Sequence, residues 1–399
     1  MAILQKQASD YGKPCNKVTL NYCNVIADQF AGLITSNPVT YESIDDELLD
    51  VLFYNDDAEE TSNVCLDLCK YGCAYEILYF DGDGKIRYKM ADPRQMVPLY
   101  DDTLDQTLKF VVRFWQTNLI EENQPVYTVE VYSDKSVKTY QSGPGFASFD
   151  LISETPNFFD QVPVCCFALG QDAKSVFDQV MSLNDAINSL YSDGLDTQDS
   201  FADAYLILTG QFADEEQLNS MKQHRCLMLD EGSKAEFLTK DIHNTAFTEL
   251  LTEIDKQIWS KAQCVNYQDE SFGTSSGIAL KFKMLAMLNK AGFIEQQLKK
   301  GLQKRLEVIV SGLTLTDAEK QWREAKIVIT ENIPTNDEDL LNLINATRDL
   351  VSKETILGML PFVDDVEEEM KRLEAEDENL MPFAGMNHNE QEEGILGRG

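Results

Sequence analysis

Gly273-Thr274-Ser275-Ser276-Gly277 has the G-x-S-x-G spacing of a nucleophile elbow, in which a serine is raised on a strand-to-helix turn and activated by a histidine. That geometry needs an apolar strand ahead of the turn. Asn266–Phe272 is polar instead, and the histidine downstream is His388, in an acidic tail expected to be disordered. The segment reads as a flexible loop feeding a helix, with Ser275 or Ser276 as its N-cap. Asp81, Asp83 and Gly84 suggest a calcium loop, but Lys85 occupies the third ligand position and Gly84 comes too early, so a hairpin turn is expected. Cys65, Cys69 and Cys73 recur at four-residue steps, which stacks them on one helix face. The chain has only three histidines to complete a zinc site, and its nine cysteines follow no regular framework. Reduced, partly buried thiols are expected. There is no G-x-x-x-x-G-K-[ST] and no H-E-x-x-H. These motifs define no catalytic residue, metal or cofactor.

The charge balance points the same way. Lys and Arg number 34 against 68 Asp and Glu, a net charge of −34. Proteins that grip nucleic acid present basic surfaces that displace condensed counterions. This chain repels phosphate on average, which argues against a DNA-binding regulator but does not exclude a conduit through which DNA slides without sticking. At 43% hydrophobic the chain can bury more than one core. No apolar run is long enough for a membrane span, and Met1–Gln7 lacks the apolar core of a signal peptide. A soluble protein made in the cytosol is expected.

The elements that position these residues follow from periodicity. Val18, Tyr22, Val25, Ile26, Phe30 and Leu33 predict a helix over 16–34, ended by Asn37-Pro38. A second helical stretch covers 45–72, ending at Gly72. Strands are expected at Ala74–Phe80, Lys85–Met90, Leu108–Gln116, Tyr127–Tyr132, Val137–Gln141 and Val162–Leu169. A helix carrying Val176, Val180, Leu183, Ile187 and Leu190 follows, then a small mixed module with strands Ala204–Thr209 and Cys226–Leu229 around a polar helix near 214–223. Residues 245–263 return to a helix. After a polar stretch, a helix runs over 278–313, about 54 Å long. Its expected apolar stripe is Ile278, Phe282, Leu285, Leu288, Ile294, Leu298, Leu302, Leu306, Ile309 and Leu313. Lys326–Thr330 predicts one more strand, and 337–376 short helices with Ser352 as an N-cap.

Several stretches, in this order, resemble the portal (head–tail connector) proteins of tailed bacteriophages. Asn16–Tyr41, ending in Asn37-Pro38-Val39-Thr40-Tyr41, is similar to the family's opening helix and its G-x-P-V-x-Y close, with Ser36-Asn37 in place of the glycine. Tyr71–Glu76, the Asp-Gly turn and Asp92-Pro93 resemble its first hairpin. Val162-Pro163-Val164 looks like the strand before the stem helix. Leu183-Asn184-Asp185-Ala186-Ile187-Asn188 and Ser192-Asp193 resemble its L-x-D-A-Y-N-x-x-x-S-D signature. Ser276-Gly277-Ile278-Ala279-Leu280-Lys281 matches the S-G-x-A-L-K start of its long helix, and Ser352–Thr355 through Glu369 its S-x-E-T…D…E close.

The resemblance implies an elongated α+β subunit of a ring, expected to be twelve-fold, at the capsid vertex. Residues 1–170 and 278–335 would form the wing, 171–202 and 244–263 the stem helices, and 203–243 the clip. Residues 264–277 would be the channel loop, and 336–399 the crown with its acidic tail. Asn266, Gln268, Asp269, Glu270, Ser271, Phe272 and Gly273 would then face the constriction, and Asp185 and Asp193 the channel wall. Leu298 and Leu302 are expected to pack the long helix. The implied partners are further copies of the chain, the terminase, a head–tail adaptor, scaffold and major capsid proteins, and double-stranded DNA in transit for packaging and ejection. The competing reading is an acidic protein-interaction scaffold of the cytosol, which would also explain the charge and the missing catalytic motifs. A compact monomer rather than a ring would favour it.

Overall fold

The computed structural model describes residues 2–7, 14–121, 124–143, 148–202, 206–209, 232, 234–237, 244–267, 277–313, 322–333, 344–346, 351–358, 360, 363, 366 and 369–373. The chain divides into two compact units. The first comprises Met1–Gly273 with Lys281–Ile333, and the second Thr274–Leu280 with Pro334–Gly399.

The first unit opens later than periodicity predicts. Helix α1 is Tyr22–Thr35, whereas residues 14–20 form no regular helix or strand. The amides of Asn16, Val18 and Leu20 are taken by side chains from a distant helix, a competition that apolar spacing cannot reveal. The stretch expected as one helix over 45–72 is two, α2 (Asp46–Tyr54) and α3 (Asp57–Tyr71). Asp56 breaks them with a left-handed φ of 54°. Buried Asn55 holds the break: its Nδ2 donates to the carbonyls of Val51 and Ile86, and its Oδ1 accepts from the Tyr88 amide. Its side chain thus replaces the backbone partners that a continuous helix would supply. Gly72 ends α3 at φ 74°, and a Cβ there would lie 2.1 Å from the Ala173 carbonyl oxygen.

The strands form two stacked sheets. Strands β2 (Cys73–Phe80), β3 (Ile86–Ala91) and β9 (Val164–Ala168) make an antiparallel sheet in the order β3-β2-β9. Strands β4 (Met96–Tyr100), β5 (Leu108–Glu121), β6 (Gln124–Tyr132), β7 (Ser136–Ser142) and β8 (Phe149–Pro156) form a five-stranded meander in sequence order. Sequence periodicity missed β4 and β8. One carries Pro98, and the other, Phe149–Pro156, is exposed along its whole length, so neither shows the alternation of a half-buried strand. Tyr75 and Val164 of the first sheet pack with Met96, Val111 and Tyr132 of the second. Along β2 the neighbouring residues Ala74, Glu76 and Leu78 point the other way and are also buried. They lie beneath α3 and the long helix (Gly277–Leu313), so the three-stranded sheet is covered on both faces. A two-stranded ribbon, β1 (Thr40–Glu42) with β12 (Lys326–Val328), ties the start of the unit to its end.

Among the described residues of the second unit, a short helix at Lys353–Leu357 is capped by Ser352, whose Oγ accepts from the Thr355 amide at 3.2 Å.

Candidate functional site

Helix α4 (Met181–Ala202) leads into an antiparallel ribbon of β10 (Leu206–Thr209) and β11 (Lys234–Phe237), and a returning helix (Asn244–Ala262) leads out. The strand expected at Cys226–Leu229 and the helix near 214–223 lie outside the described residues. The two helices pack on each other. Gly194 lets them approach closely, since a Cβ there would sit 3.0 Å from Cζ of Phe247. Val176, Val180, Ile187 and Ile258 are buried as their spacing requires, whereas Leu250 stays 47% exposed.

At the base of this pair, Lys290 of the long helix donates from Nζ to the carbonyl oxygens of Val176 at 2.6 Å and Ala262 at 2.9 Å. Ala262 is the last residue of the returning helix, so the ammonium completes a terminal carbonyl and meets the negative end of the helix dipole. The ring of Phe30 lies 5.1 Å from the same Nζ. Burial pushes the Lys290 pKa down from its ordinary value. One side chain therefore joins the entrance of α4, the exit of the returning helix, α1 and the long helix.

A second joint lies farther along. Arg305 has no solvent exposure. Its Nε and Nη2 bind the Glu76 carboxylate of β2, and its Nη1 binds Asp57 and Thr61 of α3. Tyr41 and Tyr88 also donate to Asp57. Burial pushes the Glu76 carboxyl up, against the pull of Arg305. Between these joints the long helix buries Ala291, Ile294, Leu298 and Leu302, and Gly301 admits the Phe167 ring of β9.

The N-terminal segment runs along α4. Asn188 Oδ1 accepts from the Leu20 amide at 2.7 Å, Ser192 Oγ from Val18 at 2.9 Å, and Asp196 Oδ1 from Asn16 at 2.6 Å. Lys6 Nζ bridges Asp193 and Asp196 at 2.8 and 2.6 Å. Burial raises the Asp196 pKa, but hydrogen bonds from Lys6 and Asn16 outweigh it and hold the carboxyl below its usual value. Tyr22, at the start of α1, donates to Asp255 of the returning helix at 2.7 Å and packs edge-on to Trp259.

Of the residues singled out by sequence, Leu298 and Leu302 are fully buried. The expected stripe holds from Ile294 onward but not before it. Phe282 and Leu285 are 73% and 52% exposed, and Met284 and Met287 face inward instead. Continuing a three-residue step back from Ile294 drifts off a 3.6-residue helix. Asp193 is paired with Lys6 yet its side chain remains 65% exposed, and half-buried Asp185 accepts from the Ala2 amide at 3.4 Å. Asn266 is half-buried just beyond the returning helix. Gln268, Asp269, Glu270, Ser271, Phe272, Gly273 and Ser275 lie outside the described residues, as do His388 and the acidic tail. Cys65 and Cys69 are buried on α3, while Cys73 lies on β2 beyond the Gly72 turn. Sequence reasoning passed over Lys290 and Arg305, and named Asn188 and Ser192 only as part of the portal-like signature, with no contact assigned to them. Arg305 had a signal, a charge three residues beyond Leu302 within the apolar stripe, and Asn184, Asn188 and Ser192 recur at four-residue steps.

A helix pair flanks a small β ribbon, and the long helix lies against the three-stranded sheet. The chain belongs to the phage portal protein family of the SPP1 Gp6-like type, whose sequence model matches residues 2–382. It is 23% identical to the portal protein of Clostridium phage phiCD119 over 384 residues, 89% of this chain and 84% of that protein. It is likewise 23% identical to the portal protein of Bacillus phage SPP1 over 409 aligned positions, 96% of this chain and 80% of that protein. Portal proteins are structural components of the virion, and the genome-packaging channel is their family role. Among the described residues, no helix is long and apolar enough to cross a membrane.

Proposed function

We propose that the chain, made in the host cytoplasm, assembles into a twelve-fold ring through which DNA is packaged and ejected. In this reading 171–202 and 244–263 are the stem, 203–243 the clip on which terminase and then a head–tail adaptor dock, and 264–277 the channel loop. Residues 1–170 and 278–335 make the wing, in contact with scaffold and major capsid proteins, and 336–399 the crown. The observation that carries it is the junction at Lys290, which ties both ends of the stem pair to the long helix at the point where the loop must depart. Asp185 and Asp193 contribute an acidic wall, and the net charge of −34 limits sticking of DNA in transit.

Native mass spectrometry or negative-stain imaging should find a ring near twelve subunits. A persistent monomer across salt and concentration would overturn the reading in favour of an interaction scaffold. Deleting residues 267–273 should leave rings intact and slow or abolish packaging with the cognate terminase. Normal packaging would reduce that segment to a connector.

A further inference from the structure

The contacts between the N-terminal segment and α4 obey a simple metric. Asn16, Val18 and Leu20 are two residues apart, and their partners Asp196, Ser192 and Asn188 are four apart in the opposite direction. Two residues of extended chain advance about 6.6 Å and four residues of helix about 6 Å, so the spacings match. Every second amide faces the helix and is read by a side-chain oxygen on it, Asp196 taking the Asn16 side-chain amide and the Lys6 ammonium as well. Asn188 and Ser192 have no solvent exposure, an unusual setting for polar residues on a helix unless they have partners.

The metric extends one step further. The next oxygen down the helix is Asn184 Oδ1, buried and without a hydrogen-bond partner. The next amide along the segment is that of Tyr22, the first residue of α1. First-turn amides have no partner within their own helix, and the N-cap residue Asn21 provides no side-chain cap. An unpaired buried acceptor therefore stands at the position in the series that belongs to an orphan donor.

We propose that Asn184, Asn188, Ser192 and Asp196 form a four-rung docking ladder for extended polypeptide backbone, occupied by this chain's own residues 14–20. Three rungs are filled, and the fourth is reached when the first turn of α1 opens to offer the Tyr22 amide. The ladder gives Asn188 and Ser192, both within the signature that resembles portal proteins, a physical task. It fixes the N-terminal segment as a strap across α4, and Tyr22 continues it onto the returning helix through Asp255. This assignment concerns contacts within one chain and stands or falls independently of ring formation.

Residue-resolved hydrogen–deuterium exchange on the full chain tests it. The amides of Asn16, Val18 and Leu20 should exchange at least about tenfold more slowly than those of Lys17 and Thr19. Asn188→Leu should release Leu20 first, and Ser192→Ala should release Val18 first. Asp196→Ala, at the exposed end of the ladder, should release Asn16 without threatening the core, which keeps the test informative if Asn188→Leu misfolds. Uniform exchange across 16–20, or loss that ignores which rung was removed, would overturn the ladder. For the fourth rung, Tyr22 should exchange more slowly than Cys23 and lose that difference in Asn184→Leu. Equal Tyr22 rates in wild type and variant would confine the ladder to three rungs and refute the extension.

Discussion

The guanidinium of Arg305 grips the Glu76 carboxylate through two parallel hydrogen bonds, 2.8 Å from Nε and 2.5 Å from Nη2, and neither side chain touches solvent. Because Nη1 also reaches Asp57, one cation serves two carboxylates on different elements. Arg305→Met should cost about 3–5 kcal/mol, since it strands buried negative charge. Arg305→Lys should recover only part of this, because a point ammonium cannot span both partners. Denaturant titration of purified protein measures both, and a midpoint unchanged in Arg305→Met would contradict the buried network.

Lys290→Met keeps most of the apolar stem of the side chain and removes the ammonium that serves Ala262 and Val176. A loss of about 1–3 kcal/mol is expected for hydrogen bonds to a charged group. Hydrogen exchange should quicken over 258–264 and at 176–180 while Leu298–Leu306 stays protected. Uniform quickening along the long helix would show that Lys290 is not a local joint.

Two glycines of the long helix should respond in opposite directions. A Cβ on Gly301 would lie 2.0 Å from the Phe167 ring, whereas one on Gly292 would meet nothing within 4 Å. Gly301→Ala should destabilise by about 1–3 kcal/mol through forced repacking. Gly292→Ala should stabilise by about 0.5–1 kcal/mol through helix propensity. Thermal melts of the pair give the comparison, and a shift of the same sign in both would refute the close approach.

Glu295 carries a pH dependence. Burial first, and the Glu331 carboxylate second, push its pKa up from 4.5 to about 7. The folded state thus holds more protons than the unfolded state between those values. Its stabilising effect is complete below pH 4.5 and is lost as pH rises to about 7. Glu295→Gln should match wild type at low pH and exceed it above neutrality by about 1–3 kcal/mol. Melting curves in buffers on either side of the window decide it, and a gain independent of pH would be the wrong outcome.

Much of this architecture was legible in sequence. Alternation at 74–80 and the Asp81–Gly84 turn gave the β2–β3 hairpin, and the 244–262 and 277–313 helices emerged within a residue or so of their expected bounds. Periodicity failed where a polar side chain stood in for backbone. Asn55 split one expected helix in two, and Asn188 with Ser192 kept 16–20 out of a helix. It also failed on Phe282 and Leu285, apolar residues that a stripe counts as buried but that no part of the described fold covers. The Arg305 joint depends on partners more than two hundred residues away in sequence, and the Lys290 joint on Val176, 114 residues away, besides nearby Ala262, which local spacing does not encode.

The two joints divide the long helix as supports divide a beam. Lys290 and Arg305 are fifteen residues apart, about 22 Å of helix. That span is clamped at one end by Lys290, on the carbonyls of Val176 and Ala262, and at the other by Arg305, on Glu76 and Asp57, so an axial pull on the helix is divided between the α4 helix pair and the three-stranded sheet with α3. Ahead of Lys290, residues 281–289 are held on one face only, by buried Met284 and Met287, with Phe282 and Leu285 uncovered. Bracing the uncovered face of this stretch would therefore stiffen the start of the helix more than any change made between the two clamps.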